Sequence, residues 1–74
     1  MIKELDLVVL KRDVDAAGLK AGDVGSAVIA HSGGAAFEVE FSTLAGDTIA
    51  VLTVNASDLR AARVREILHA REVA

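Results

Sequence analysis

Two alternating runs of apolar and polar residues, separated by Ser32-Gly33-Gly34, constrain the fold of this chain more than any other feature. The runs cover residues 24 to 31 and 35 to 42. A two-residue Gly-Gly loop accommodates the positive φ angles that a tight hairpin turn requires. With that loop, the predicted register places Val28 opposite Val39. The segment therefore predicts a β-hairpin.

The predicted register gives the hairpin two different faces. Phe37 and Phe41 share the mainly apolar face, and a one-residue slip would bury Glu38 and Glu40 in their place. The opposite face carries Ile29 beside the two glutamates. Because an apolar centre with a charged rim is typical of interaction sites, we expect Ile29, Glu38 and Glu40 to bind a partner.

Two further strands are predicted, one on each side of the hairpin. The first covers residues 5 to 10, and its Leu5, Leu7 and Val9 are expected to face the core. The second covers residues 48 to 54 and is apolar at both alternating sets of positions, so it needs cover on both faces. The glycine-punctuated stretch between the first strand and the hairpin is predicted to be a long loop.

The residue types change near the C-terminus to those that favour a helix. Residues 57 to 72 are rich in leucine, alanine, arginine and glutamate. Leu59, Val64, Ile67 and Leu68 form an apolar stripe at helical spacing, although arginines lie in or beside it. This pattern predicts a C-terminal α-helix over residues 57 to 72.

Composition bounds the class of protein. The chain has 74 residues, 53% of them apolar, which fits a single domain over residues 1 to 74. The lack of cysteine fits a reducing, cytoplasmic setting, and no apolar run reaches the length of about 18 residues that spans a bilayer. The net charge of −3 and the presence of only two aromatic residues make nucleic acid a poor partner.

Candidate chemistry is sparse along the chain. Glu38 and Glu40 would lie about 7 Å apart on one strand, but nothing in the sequence raises one pKa above the other. His31 and His69 are the only histidines, and one histidine beside one glutamate is not a metal-ligand set. Asp23, between glycines, is interpreted as a turn residue. We therefore expect a non-enzymatic protein without catalytic, cofactor-binding or metal-binding residues.

A wider pattern resembles a family of short bacterial proteins of unknown function. Its signature reads roughly GDVGTVV, then YEVEF, then G-T-A-LT, then LR. The segments that carry the resemblance are Leu19-Lys20-Ala21-Gly22-Asp23-Val24-Gly25, Gly33-Gly34, Phe37-Glu38-Val39-Glu40-Phe41, Gly46, Thr48-Ile49-Ala50, Leu52-Thr53 and Leu59-Arg60. The resemblance implies a small SH3-like β-barrel over residues 5 to about 60. It also implies, by association with neighbouring genes, an antitoxin-like or immunity-like role.

Together these features predict a mainly β fold, an SH3-like antiparallel barrel of four to five strands with a C-terminal α-helix. We expect a protein-interaction module that binds a neighbouring gene product. The alternative is an RNA-associated SH3-like accessory module, because Gly22-Asp23-Val24-Gly25 is similar to a motif of such modules. The surplus of apolar strand positions further predicts a homodimer that shares the C-terminal helix, with docking of the helix on its own barrel as the alternative.

Overall fold

The fold is a single antiparallel sheet of five strands. The computed structural model describes residues 1–73. The strands are β1 (Leu7–Leu10), β2 (Val24–His31), β3 (Ala36–Ser42), β4 (Thr48–Asn55) and β5 (Leu59–Ala61). They lie in the order β4-β3-β2-β1-β5, so β4 and β5 are the two edges. Single turns of 3₁₀ helix occur at Asp15–Ala17, Ser32–Gly34 and Ala56–Asp58.

The expected barrel with a C-terminal helix is wrong. The sheet is open, because β4 and β5 lie at opposite edges and do not pair with each other. Residues 1–73 contain no α-helix. This range therefore includes no helix long and apolar enough to cross a membrane.

The segment predicted as a helix contains β5 and an irregular tail. Leu10 pairs with Leu59 and Val8 with Ala61, which takes the first residues of that segment into the sheet. Leu59 is buried there, so the predicted apolar stripe loses its first member. A helix of the remaining length is only marginally stable in water unless one apolar face packs against the core. Helix propensity is therefore outweighed by strand pairing and by the lack of a packed face.

The predicted hairpin is present, with one change of register. Ile29 lies opposite Glu38 as expected, but Ala27 takes the place opposite Val39 that the sequence assigns to Val28. Val28 is the extra residue of a β-bulge. The turn is also longer than two residues, since Ser32 joins the two glycines at positive φ.

The core lies on one side of the sheet, and the hairpin prediction identifies its centre. Phe37 and Phe41 are buried on one face, as expected, while Glu38 and Glu40 lie on the other. The predicted inward face of β1 is wrong, because Leu5 and Leu7 are exposed while Val8 and Leu10 join the core cluster. Val9 is buried as expected, at 7% exposure, but lies outside that cluster. The whole core cluster comprises Val8, Leu10, Leu19, Ala27, Phe37, Val39, Phe41, Val54 and Leu59.

Candidate functional site

The face of the sheet opposite the core brings the predicted partner-binding residues together. We define the outer face as the solvent-facing side chains of β2, β3 and β4. Strand pairing places Ile29, Glu38 and Thr53 in one row across these strands. The neighbouring row holds Ser26, Glu40 and Val51. The three residues singled out from the sequence therefore share one surface, with Glu38 and Glu40 near its centre.

Threonine hydroxyls hold the two carboxylates of the outer face in place. The Thr53 hydroxyl donates to Glu38 Oε1 at 3.0 Å, and the Thr48 hydroxyl donates to Glu40 Oε2 at 3.0 Å. His31 Nε2 lies 4.0 Å from Glu38 Oε1. Within residues 1–73 no lysine or arginine pairs with either glutamate. The carboxylates are positioned and remain open to a cation from outside the chain.

Exposed apolar side chains flank the glutamates. Ile29 is 48% exposed and Val51 is 51% exposed. Leu7, opposite Ser26, extends the second row by one strand and is equally exposed. The outer face therefore combines a negative centre with apolar flanks on both sides.

The described residues contain no cluster of metal-ligating side chains. No group of three histidine, cysteine, aspartate or glutamate side chains within residues 1–73 is arranged to hold a metal ion. No polar or charged residue in that range is buried. The outer face can bind through charge and apolar contact, and the lack of catalytic, cofactor-binding and metal-binding residues stays a prediction from the sequence.

A second feature, missed from the sequence, is a latch that holds the irregular C-terminal tail, residues 62 to 73. Arg71 Nε donates to Asp23 Oδ1 at 2.8 Å, and Arg71 Nη2 donates to Asp23 Oδ2 at 2.6 Å. The same Nη2 donates to the Gly18 carbonyl at 3.0 Å. Leu68 of the tail lines a groove of about 590 Å³ between tail and sheet, together with Leu7, Val24, Phe41 and Ile49. Asp23 and Arg71 are 48 residues apart, so no local pattern could reveal this pair.

Two carboxyl groups that interact with the tail have lowered pKa values. Hydrogen bonding to Arg71 lowers the pKa of Asp23. The Arg60 guanidinium, with help from the Arg63 backbone N–H, lowers the pKa of Glu66 to about 2. Both carboxylates are therefore charged at neutral pH and bind their arginine partners.

The part of the chain that contains the sheet matches a known family. Residues 4–61 match the model of a domain of unknown function, DUF4926. The chain belongs to this family. The predicted resemblance to a family of unknown function is confirmed at this level. No curated protein and no solved structure is significantly similar to the chain.

The family match divides the protein at the end of β5. It includes all five strands and the outer face, whereas the tail from residue 62 onward lies beyond it. Asp23 lies inside the DUF4926 match and Arg71 outside it. The latch therefore joins the family domain to a segment that the family pattern does not describe.

The latch gives a prediction for proteolysis. In Asp23→Asn the charge that binds Arg71 is lost, so the tail should detach and trypsin should cleave after Arg63 several-fold faster than in the parent protein. Asp47→Asn, which removes an exposed loop charge, is the matched control and should leave cleavage unchanged. Mass spectrometry of timed digests gives the rates, and equal rates in Asp23→Asn and its control would show that the pair does not hold the tail.

The same latch should respond to acid in the parent protein. Because the pKa of Asp23 is lowered in the folded state, the pair contributes fully above the ordinary value of 3.8 and is lost as pH falls through the lowered pKa. Amide resonances of residues 68 to 73, which lie away from the Arg60–Glu66 pair, should therefore shift towards disordered values on acidification from about pH 5 to about pH 2, and Asp23→Asn should not show this change.

Proposed function

We propose that this DUF4926 protein is a non-enzymatic interaction module that binds a partner protein through its outer face. The observation that carries the proposal is the pair of carboxylates, Glu38 and Glu40, held by threonine hydroxyls and without lysine or arginine partners in residues 1–73. Exposed Ile29 and Val51 beside them supply apolar contact.

The chemistry of this face specifies the kind of partner. Lysine or arginine side chains of the partner would pair with the two carboxylates, which the hydroxyls already orient. Apolar side chains of the same partner segment would cover Ile29 and Val51. Charge of this kind mainly accelerates association, while the apolar contacts slow dissociation. A basic segment with interspersed apolar residues fits both requirements.

The product of a neighbouring gene is the partner we propose, in the manner of antitoxin or immunity proteins. This step rests on the family resemblance and on the acidic surface, which suits a basic target. Strands β2, β3 and β4 contain no lysine or arginine, so this surface repels a phosphate backbone. Protein is therefore the favoured ligand, and RNA is an outcome that the experiment must separate from it.

The test is quantitative binding to the co-purified product of the adjacent gene. The Glu38→Lys/Glu40→Lys double variant should keep its fold by circular dichroism and should lower the association rate by about tenfold or more at low salt. Asp15→Lys/Asp47→Lys makes the same change in net charge in the loops and should bind normally. The difference in association rate between the double glutamate variant and the parent protein should shrink at high salt, because salt screens the attraction between the parent's carboxylates and the basic partner.

Two results would overturn the proposal. Unchanged affinity of the double glutamate variant at low salt would exclude the outer face. A salt-dependent mobility shift of RNA by the parent protein, strengthened by the two lysines, would favour the RNA-associated module instead.

A further inference from the structure

Strand β4 is an unprotected edge of the sheet. Within residues 1–73 it is hydrogen-bonded to β3 only. A strand at an edge carries unpaired N–H and C=O groups on its free side, which can pair with another strand. β4 has eight residues, Thr-Ile-Ala-Val-Leu-Thr-Val-Asn, without a charge or a proline. Natural edges are usually protected by lysine, proline, a bulge or a short strand.

The single bulge in β4 lies at its start and leaves most of the edge regular. The pairing skips Ile49, since Phe41 lies opposite Ala50 and Ser42 opposite Thr48. From Ala50 to Asn55 every residue has a partner in β3. Six consecutive residues of the edge are therefore in a geometry that a further strand can extend.

The side chains of β4 are suited to an identical strand. On the core side, Leu52 is only half-buried, because no neighbouring strand covers it from the edge. Antiparallel pairing about a two-fold axis at Leu52 places it against its own copy and places Ala50 opposite Val54. On the outer face it places Val51 opposite Thr53. Every contact is apolar or neutral, so no like charges meet directly.

The acidic outer face does not oppose this arrangement. In that register Glu40 of one copy lies in the same row as Glu38 of the other, with the two β4 strands between them. Three inter-strand spacings separate the two glutamates by about 14 Å. This distance exceeds the Debye length of about 8 Å at physiological salt, so repulsion between the copies is largely screened.

We propose that β4 pairs antiparallel with β4 of a second copy of this chain, which joins two sheets into one of ten strands. A homodimer is also what the sequence predicts, but the helix on which that prediction relied is a strand and a tail. The edge interface uses the backbone of β4 and does not depend on the proposed partner-binding function, although Val51 belongs to both surfaces. It is small, and we expect a weak dimer whose population rises with protein concentration.

The test is sedimentation velocity from about 10 μM to about 500 μM for the parent protein and two variants. Val51→Lys places a lysine on the edge strand, diagonally across the two-fold axis from its own copy, and an edge lysine is one of the features by which natural sheets avoid edge pairing. We expect it to raise the dimer dissociation constant by about tenfold or more. Ile29→Lys is the matched control, since Ile29 lies on the same face with nearly equal exposure but on a strand that is paired on both sides.

Hydrogen exchange locates the contact. The amides of Ala50–Asn55 that point away from β3, which alternate along the strand, should gain protection as concentration rises in the parent protein and in Ile29→Lys, but not in Val51→Lys. A parent protein that stays monomeric throughout the range would overturn the proposal. A dimer lost in Ile29→Lys and kept in Val51→Lys would overturn it in favour of face-to-face packing. Val51 belongs to both the edge and the proposed partner site, whereas Ile29 belongs only to the partner site. Lost partner binding with an intact dimer in Ile29→Lys would therefore show that the two functions fail separately.

Discussion

Replacing Phe41 with alanine is expected to lower the free energy of unfolding by about 3–5 kcal/mol, the range for removing a buried aromatic ring. Phe41 is 3% exposed and belongs to the core cluster beside Val39. Natural domains have a total stability of about 5–15 kcal/mol, and a chain of 74 residues falls towards the lower end. The variant should therefore be largely unfolded under conditions in which the parent protein is folded.

Urea denaturation followed by circular dichroism measures this loss. Ile29→Ala is the control, because it shortens an exposed apolar side chain of the same sheet and should change stability by about 0.5 kcal/mol or less. A loss below about 1 kcal/mol in Phe41→Ala would mean that the ring does not contribute to the core.

Gly25→Ala should destabilise the protein by about 3 kcal/mol, at the upper end of the range for overpacking a core. A Cβ atom at this position would lie 2.7 Å from Val39 Cγ1, 2.8 Å from the Glu40 carbonyl oxygen and 2.9 Å from Phe41 Cδ1. The carbonyl oxygen belongs to the backbone of β3, so it cannot move without disturbing the pairing of β3 with its neighbours. Gly25 is thus required for close packing of β2 against β3.

The neighbouring position provides the control for this variant. Ser26 points to the outer face, and Ser26→Ala should be nearly neutral in the same denaturation experiment. Wild-type stability in Gly25→Ala would show that β2 can move away from β3 without cost. Reduced stability with an unchanged denaturant slope would indicate a strained but still cooperative fold.

Part of the candidate site follows from local sequence. Ile29 and Glu38 are close to the turn, and the register there agrees with the prediction because few residues separate the paired positions. The threonines that orient the glutamates were not predicted. Thr53 reaches Glu38 from β4, and the sequence does not reveal which positions of β4 face β3 residues. Identifying these threonines requires the register between β3 and β4, which only the structure provides.

Alternation determined the hairpin, the burial of Phe37 and Phe41 and the placement of the glutamates on the opposite face, because a period of two assigns each residue of an amphipathic strand to one face. It could not assign β1, whose Leu-Val-Val-Leu run is apolar at both alternating sets of positions. There the tertiary structure decided, by pairing β1 between β2 and β5 with Val8 and Leu10 towards the core.

In the C-terminal segment, too, tertiary structure decided what the local sequence could not. Its residue types favour a helix, and local propensity is worth only a few tenths of a kcal/mol per residue. The open edge of β1 offered Leu59 a buried position and the backbone of β5 a partner, and Asp23 offered Arg71 an ion pair. These interactions join residues about 50 positions apart. The sequence by itself determined the local hairpin and the residues able to form a core. The tertiary structure decided the long-range pairings that define the sheet edges and hold the tail, because these pairings depend on which surfaces the rest of the fold leaves open.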